Sequence, residues 1–132
     1  MAISRRSRAI VTTIVVAVLA SGYGVYWWHQ GLWQRHVALA YSVEHALERG
    51  DVAQARYELD QEDPGTTLQA LLMLLRSELE RTRLFVVREL VDRAADRPKV
   101  REALAKVAAT DPSQRVREVA SQALSGAKVE SP

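Results

Sequence analysis

The sequence has few of the residues that usually carry catalysis or ligand binding. Its 132 residues include no cysteine, six glycines and three histidines. The missing cysteines exclude a disulfide framework, a zinc-thiolate site and a thiol nucleophile, and they leave the cellular compartment open. Two of the glycines, Gly22 and Gly24, stand inside an apolar run, and the chain has no glycine-rich loop that could hold phosphate. No motif names a substrate, and we expect a protein that is not an enzyme.

The charge of the chain is nearly balanced once its N-terminus is set aside. It has 18 basic and 16 acidic residues and a sequence pI of about 9.2, which taken alone suits a nucleic-acid-binding protein. Three of the basic residues precede the apolar run, which leaves 15 basic against 16 acidic residues, all beyond Trp28. With few aromatic side chains beyond Trp33 to stack on bases, the sequence argues against nucleic acid as a partner.

Residues 9–28 form an uncharged run, AIVTTIVVAVLASGYGVYWW. As a helix rising about 1.5 Å per residue, the run is roughly 30 Å long, which matches the hydrocarbon core of a bilayer. A backbone inside that core must satisfy its own hydrogen bonds, and a helix does so. The sequence therefore predicts a transmembrane helix over residues 9–28 behind a basic tail over residues 1–8.

Charged and aromatic residues flank this run unevenly. Arg5, Arg6 and Arg8 precede it, whereas on the other side Arg35 is the only lysine or arginine before Arg49. By the positive-inside rule we expect a bacterial inner-membrane protein with a cytoplasmic N-terminus and a periplasmic C-terminal domain. Aromatic residues near the outer end are expected to anchor the helix at the interface: Tyr23, Tyr26, Trp27, Trp28 and Trp33.

Small residues recur along one side of the predicted span. They are Ala9, Thr13, Ala17 and Ser21, with Ala20 and Gly24 beside them. Such a strip lets another helix approach closely, so we expect it to contact a partner subunit or a second copy of the chain. The alternative is that these residues reflect the composition that is common in any spanning helix.

A second interpretation of the N-terminus is a secretory signal peptide. Val18-Leu19-Ala20 before Ser21 satisfies the small-residue rule for cleavage. However, the apolar run continues past that site, and cleavage would leave the segment SGYGVYWW in need of burial. We prefer the anchor, and we keep a cleaved, soluble periplasmic binding module as the alternative.

Residues 29–65 are predicted to form a membrane-proximal helical hairpin and a loop. Apolar residues recur at helical spacing over residues 32–49. Gly50 followed by Asp51 suits a helix end and a new N-cap, so a second helix should run over about residues 52–60. The sequence QEDPG that follows predicts a loop, because aspartate before proline disfavours helix.

Residues 66–126 show a further helical pattern. Helices are predicted over residues 67–80 and 83–95, from Pro98 to a turn at Asp111-Pro112, and from that turn to Gly126. The last segment, residues 127–132, is predicted to be a flexible tail.

The same stretch contains an internal repeat. The sequence VRELVxxA at Val87 returns as VREVAxxA at Val116, twenty-nine residues later. DPSQRVREVASQAL resembles the second helix of a HEAT repeat with its leading turn, and RPKVREALAKVAA resembles the first helix. The resemblance covers about residues 66–125, and it departs from the family pattern in having no Asp-Pro turn between Glu80 and Thr82. It implies an all-α solenoid of stacked hairpins that binds other proteins, and it implies no reaction.

The charges of this domain are unevenly distributed. Residues 36–80 have three basic and nine acidic residues, whereas residues 81–117 have ten basic and five acidic ones. Either the two halves complement one another, or an arginine-rich face docks an acidic partner or anionic lipid headgroups. The candidate residues of that face are Arg81, Arg83, Arg88, Arg93, Arg97 and Arg101.

Two hypotheses about function follow from these patterns. We favour a non-catalytic, single-pass membrane-anchored interaction module without a cofactor, which serves as an accessory, scaffold or assembly subunit of a larger inner-membrane complex. The alternative is a small haem- or pigment-binding membrane subunit that uses His29 or His36. No metal-binding motif accompanies these histidines.

Overall fold

The computed structural model describes the backbone of residues 5–129, and it describes the side chains of that range apart from residues 32, 33 and 127–129. The described backbone is helical and contains no β-strand. The predicted all-α class is therefore confirmed for this part of the chain. The helices are α1 (Arg5–Glu48), α2 (Val52–Asp60), α3 (Pro64–Leu74), α4 (Glu80–Ala94), α5 (Pro98–Thr110) and α6 (Gln114–Val129).

The chain divides into two compact units, one ending at Arg35 and the other beginning at His36. The first unit contains the N-terminal part of α1, where every described side chain up to His29 is exposed. Among the described helices, α1 is the one that is long and apolar enough to cross a membrane, judged by length and composition. None of its most apolar stretch is buried.

The second unit buries its apolar side chains in one cluster. The C-terminal part of α1 contributes Leu39, Val43 and Leu47, which recur every fourth residue and so share one side of the helix. The helices α2 to α6 supply the rest of the cluster. Helix α4 is central because it contacts α3, α5 and α6, while α5 and α6 pack along each other. The largest fully buried side chains include Leu59, Leu71, Leu90 and Leu104.

The turn between α1 and α2 confirms the sequence prediction. Gly50 has a φ of +76°, which a glycine adopts readily. The N–H groups of Gly50 and Asp51 donate to the carbonyl oxygens of Leu47 and Ala46, at 3.0 and 2.9 Å, which is the Schellman arrangement. The Asp51 carboxylate then accepts from the N–H of Gln54 at 3.0 Å and caps α2.

Helix α3 differs from its prediction at both ends. It begins at Pro64, inside the predicted loop, because Asp63 is its N-cap and proline suits the first helical position. It ends at Leu74 and not at Glu80. After that end, the Arg83 guanidinium donates to the carbonyl oxygens of Ser77 and Glu78, at 2.8 and 3.1 Å. This arginine stabilises a turn where the leucine pattern predicts continued helix.

Helix α6 continues beyond its predicted end. It includes Gly126 and runs to Val129, so Gly126 does not terminate it. Glycine costs about 1 kcal/mol relative to alanine inside a helix, which disfavours helix without forbidding it. Residues 130–132 of the predicted tail lie outside the described residues.

Candidate interaction surfaces

The small-residue strip lies on the exposed part of α1. All six of its members are exposed, and at 100° per residue they fall within about a third of the helix circumference. The Thr13 hydroxyl donates to the carbonyl oxygen of Ala9 at 2.9 Å, so its polar group is satisfied inside the helix. A methyl group added at Gly24 would meet nothing within 4 Å. The strip is open for a helix to approach.

The aromatic residues of α1 follow the strip toward the C-terminal side. Tyr23, Tyr26, Trp27 and Trp28 are between 59% and 70% exposed. Tyr23 and Trp27 pack edge to face with ring centroids 5.9 Å apart, and Gln30 donates to the Tyr26 hydroxyl at 3.1 Å. Trp33 belongs to the same helix, but its side chain lies outside the described ones.

Arg83 is not part of an exposed arginine face, contrary to the sequence prediction. Its side chain is 9% exposed, and its Nε donates to the Asp111 carboxylate at 2.9 Å. Asp111 is also buried and accepts from the N–H of Ser113 at 2.8 Å. Removing one partner of such a pair leaves an uncompensated buried charge, so Arg83 has a structural role between α4 and the turn before α6.

Arg93 is held by carboxylates from two helices. Its guanidinium lies 2.7 Å from Asp60 on α2 and 3.0 Å from Glu89 on α4. Arg56 of α2 approaches the other oxygen of Glu89 at 2.8 Å. Burial acts to lower the pKa of Arg93, but the hydrogen bonds to Asp60 and Glu89 and the negative charges of these two carboxylates together outweigh it and raise that pKa above its ordinary value. Here the acidic first half of the domain does pair with the basic second half.

The remaining four arginines of the predicted face are exposed. Arg81 donates to the carbonyl oxygen of Leu47 at 3.4 Å, and Arg101 donates to that of Ala95 at 3.3 Å. The side chains of Arg88 and Arg97 make no hydrogen bond or ion pair within the described part of the chain. The six arginines thus divide into a buried one, a paired one and four surface residues.

One cavity of about 330 Å³ lies among α2, α3 and α4. Its floor is formed by the buried leucines Leu59, Leu71 and Leu90. Its mouth has two acidic side chains, Asp60 and Glu62, and two arginines, Arg93 and Arg97. Because both signs of charge surround it and Arg93 is already paired, this cavity has no clear preference for the charge of a ligand.

A second concavity of about 410 Å³ lies between the end of α3 and one side of α5, and we call it the α3–α5 groove. Its floor consists of half-buried apolar side chains: Leu72, Leu75, Ala103 and Val107. Its charged residues are Arg76, Lys99, Lys106 and Glu102, together with Asp111, which is buried against Arg83. These three basic residues are not among those of the predicted arginine-rich face. In the sequence, the seven-residue spacing of Lys99 and Lys106 around Ala103 indicates that the two lysines share one side of a helix with an apolar residue.

The three histidines differ in their exposure and in their neighbours. His29 is exposed on α1, and His36 is half-buried. The exposed ring of His45 stacks on Tyr41 with centroids 6.3 Å apart and lies 3.8 Å from Glu48. Among the residues that the structure describes, no three histidine, aspartate or glutamate side chains are grouped so as to hold a metal ion.

Comparisons with protein-family models, with curated proteins and with solved structures found no match. The class is therefore defined by the fold alone: over residues 5–129 the protein is helical, with one candidate membrane-spanning helix near the N-terminus.

Proposed function

We propose that this protein is a non-catalytic, single-pass membrane-anchored interaction module, an accessory, scaffold or assembly subunit of a larger bacterial inner-membrane complex. One observation carries the proposal: none of the most apolar stretch of α1 is buried. Each square ångström of apolar surface left in water costs about 25 cal/mol, so twenty uncovered residues need an external cover. A bilayer provides that cover over the required 30 Å or so.

The expected orientation places the helical domain in the periplasm. Arg5, Arg6 and Arg8 precede the span, and lysine and arginine near a span prefer the cytoplasmic side. The four described aromatic side chains at the other end fit the second interface of the span, because tyrosine and tryptophan are enriched at both interfaces between lipid and water.

We interpret the pairs α3–α4 and α5–α6 as two HEAT-like repeats. The repeated valines, Val87 and Val116, are both fully buried, as expected if equivalent positions form the seam of a stack. The two copies also differ, because Glu89 is buried between two arginines whereas Glu118 is exposed. Stacked hairpins of this kind offer surface for protein partners and little depth for a catalytic cleft.

Membrane fractionation with reporter fusions tests the anchor and its orientation. We expect the full-length chain to stay in the membrane pellet after carbonate extraction, and a C-terminal alkaline phosphatase fusion to be active, as this reporter needs an oxidising compartment. Recovery of the full-length chain in the soluble fraction would contradict the anchor. N-terminal sequencing that begins at Ser21 would favour the cleaved alternative, and a haem or pigment band in the absorbance spectrum would contradict a protein without a cofactor.

The small-residue strip gives a second test. Ala17→Leu with Ser21→Leu should abolish co-purification of partner subunits after gentle detergent extraction, because two large side chains keep a second helix away. Gly22→Leu is the matched control, since it makes a similar change on the opposite side of α1 and its Cβ would meet nothing within 4 Å. Co-purification that survives the double substitution would show that the strip is not the contact.

A further inference from the structure

The α3–α5 groove differs from the rest of the domain surface in the state of its charges. The side chains of Arg76, Lys99 and Lys106 are exposed, and none of the three makes a hydrogen bond or ion pair with any residue that the structure describes. Glu102 is the one exposed carboxylate among the lining residues, since Asp111 is buried against Arg83. The groove therefore presents an excess of positive charge that the domain leaves unneutralised.

The floor of the groove is apolar and incompletely covered. Leu72, Leu75 and Val107 pack against the buried cluster while remaining partly exposed. Covering such side chains is favourable in water, and basic residues around them select what covers them. The cavity among α2, α3 and α4 lacks this selectivity, because its mouth has both signs of charge.

The geometry points to an acidic amphipathic helix of a partner protein as the occupant of the α3–α5 groove, and we propose this as its ligand. Lys99 and Lys106 are seven residues apart, so they lie about 10 Å apart along α5, with Ala103 and Val107 on the same side. A helix with carboxylates seven residues apart beside an apolar stripe matches that spacing. This inference rests on the proposed interaction function and names the surface and the chemistry of the partner.

Two other occupants fit the groove less well. A second copy of this chain would offer α2 as an acidic helix, but α2 already buries Ala55 and Leu59 in its own core. Anionic lipid headgroups would meet the basic residues, yet a flat headgroup layer does not fill an apolar concavity of about 410 Å³. A partner helix supplies both the negative charge and the apolar side chains.

A peptide-binding experiment on the full-length protein, in nanodiscs of zwitterionic lipid, tests the proposal. The probe is a fluorescein-labelled helical peptide of about five turns, with a leucine stripe flanked by glutamates seven residues apart. We expect saturable binding by fluorescence anisotropy that weakens as salt is raised. A peptide of the same length with lysine in place of each glutamate should bind at least about tenfold more weakly.

Charge-reversal variants locate the binding. The double substitution Lys99→Glu with Lys106→Glu should weaken binding of the glutamate peptide by about tenfold or more, and it should strengthen binding of the lysine peptide. Arg49→Glu with Arg115→Glu is the matched control, because both arginines are exposed, their side chains are unpaired within the described chain, both lie outside the groove and outside the predicted arginine-rich face, and the change in net charge is the same. Circular dichroism should show unchanged helix content in both variants.

Several results would overturn the inference. Equal binding of the two peptides, or no effect of the Lys99 and Lys106 reversal, would remove the groove as the site. Binding to phosphatidylglycerol vesicles that the reversal abolishes, without peptide binding, would assign the groove to lipid. A dimer that the reversal dissociates would assign it to a second copy. If partner subunits co-purify with wild-type protein but the glutamate peptide does not bind, the groove inference fails while the proposed function stands. If nothing co-purifies with wild type, the proposed function itself fails.

Discussion

The two units of this protein contain similar apolar side chains in opposite environments. In the first unit, Leu19 and its neighbours on α1 are mostly exposed, and Leu19 itself is 67% exposed. In the second unit, Leu90 on α4 is fully buried. The difference lies in pattern: residues 9–28 are apolar on every side of the helix, whereas α4 and its neighbours return to apolar residues every third or fourth position. A periodic stripe can be covered by neighbouring helices, and a helix that is apolar all round needs a solvent that is itself apolar.

Charges show the same contrast within the second unit. Arg83 pairs with Asp111 inside the domain, and Arg93 pairs with Asp60 at its surface. The basic residues of the α3–α5 groove have no such partners in the described chain. In both comparisons, the uncovered feature is the one that suggests an external partner, lipid for α1 and protein for the groove.

The largest expected effect comes from placing charge in the first unit. Val15→Asp with Leu19→Asp should move the full-length chain out of the carbonate-resistant membrane fraction. A carboxylate near the middle of a span costs about 3 kcal/mol, so two cost about 6. Both positions lie away from the small-residue strip. The control, Val52→Asp with Ala53→Asp, adds the same charge at exposed positions of α2 and should leave the amount of protein in the membrane fraction unchanged. Equal loss of both variants from that fraction would argue against a transmembrane α1.

A smaller effect is expected from shortening one leucine in each unit. Leu90→Ala should lower the free energy of unfolding of the helical domain by about 2–5 kcal/mol, because it leaves a cavity in the core. Leu19→Ala should change the same quantity by less than about 0.5 kcal/mol. Urea unfolding followed by circular dichroism, with both variants in the same detergent, measures the difference. Equal destabilisation would mean that α1 is covered by the chain's own helices.

The features that local sequence determines were predictable. The glycine and aspartate at Gly50 and Asp51 identify the turn before α2, and Pro98 identifies the start of α5. Each is a short-range effect of backbone geometry or capping, which is independent of the rest of the fold. The uncharged run of α1 was visible for a similar reason, since it is continuous in sequence.

The features that depend on distant residues were not predictable in this way. The early end of α3 involves Arg83, which donates to the turn carbonyls and pairs with Asp111, twenty-eight residues away. In the sequence, Arg83 is indistinguishable from the exposed arginines around it. The α3–α5 groove likewise combines Arg76 from the end of α3 with lysines of α5, and only the folded chain brings them together.

The smallest expected effect concerns the pH dependence of the domain at the N-terminus of α3. The Thr66 hydroxyl donates to the Asp63 carboxylate at 2.7 Å and the Thr66 N–H donates at 3.0 Å, and together they hold the pKa of Asp63 below its ordinary value of 3.8. A carboxylate with a lowered folded-state pKa stabilises the fold above its unfolded pKa, and this contribution is lost as the pH falls through the folded value. Thr66→Val removes the stronger of the two causes and keeps the side-chain shape. We expect this substitution to lower the urea midpoint slightly at pH 6 and to shift the pKa of the Asp63 carboxyl, measured by NMR titration, upward. Below both pKa values of Asp63, the substitution should have no effect on the midpoint. A midpoint difference that persists unchanged at that low pH would show that Thr66 acts through packing and not through the Asp63 charge.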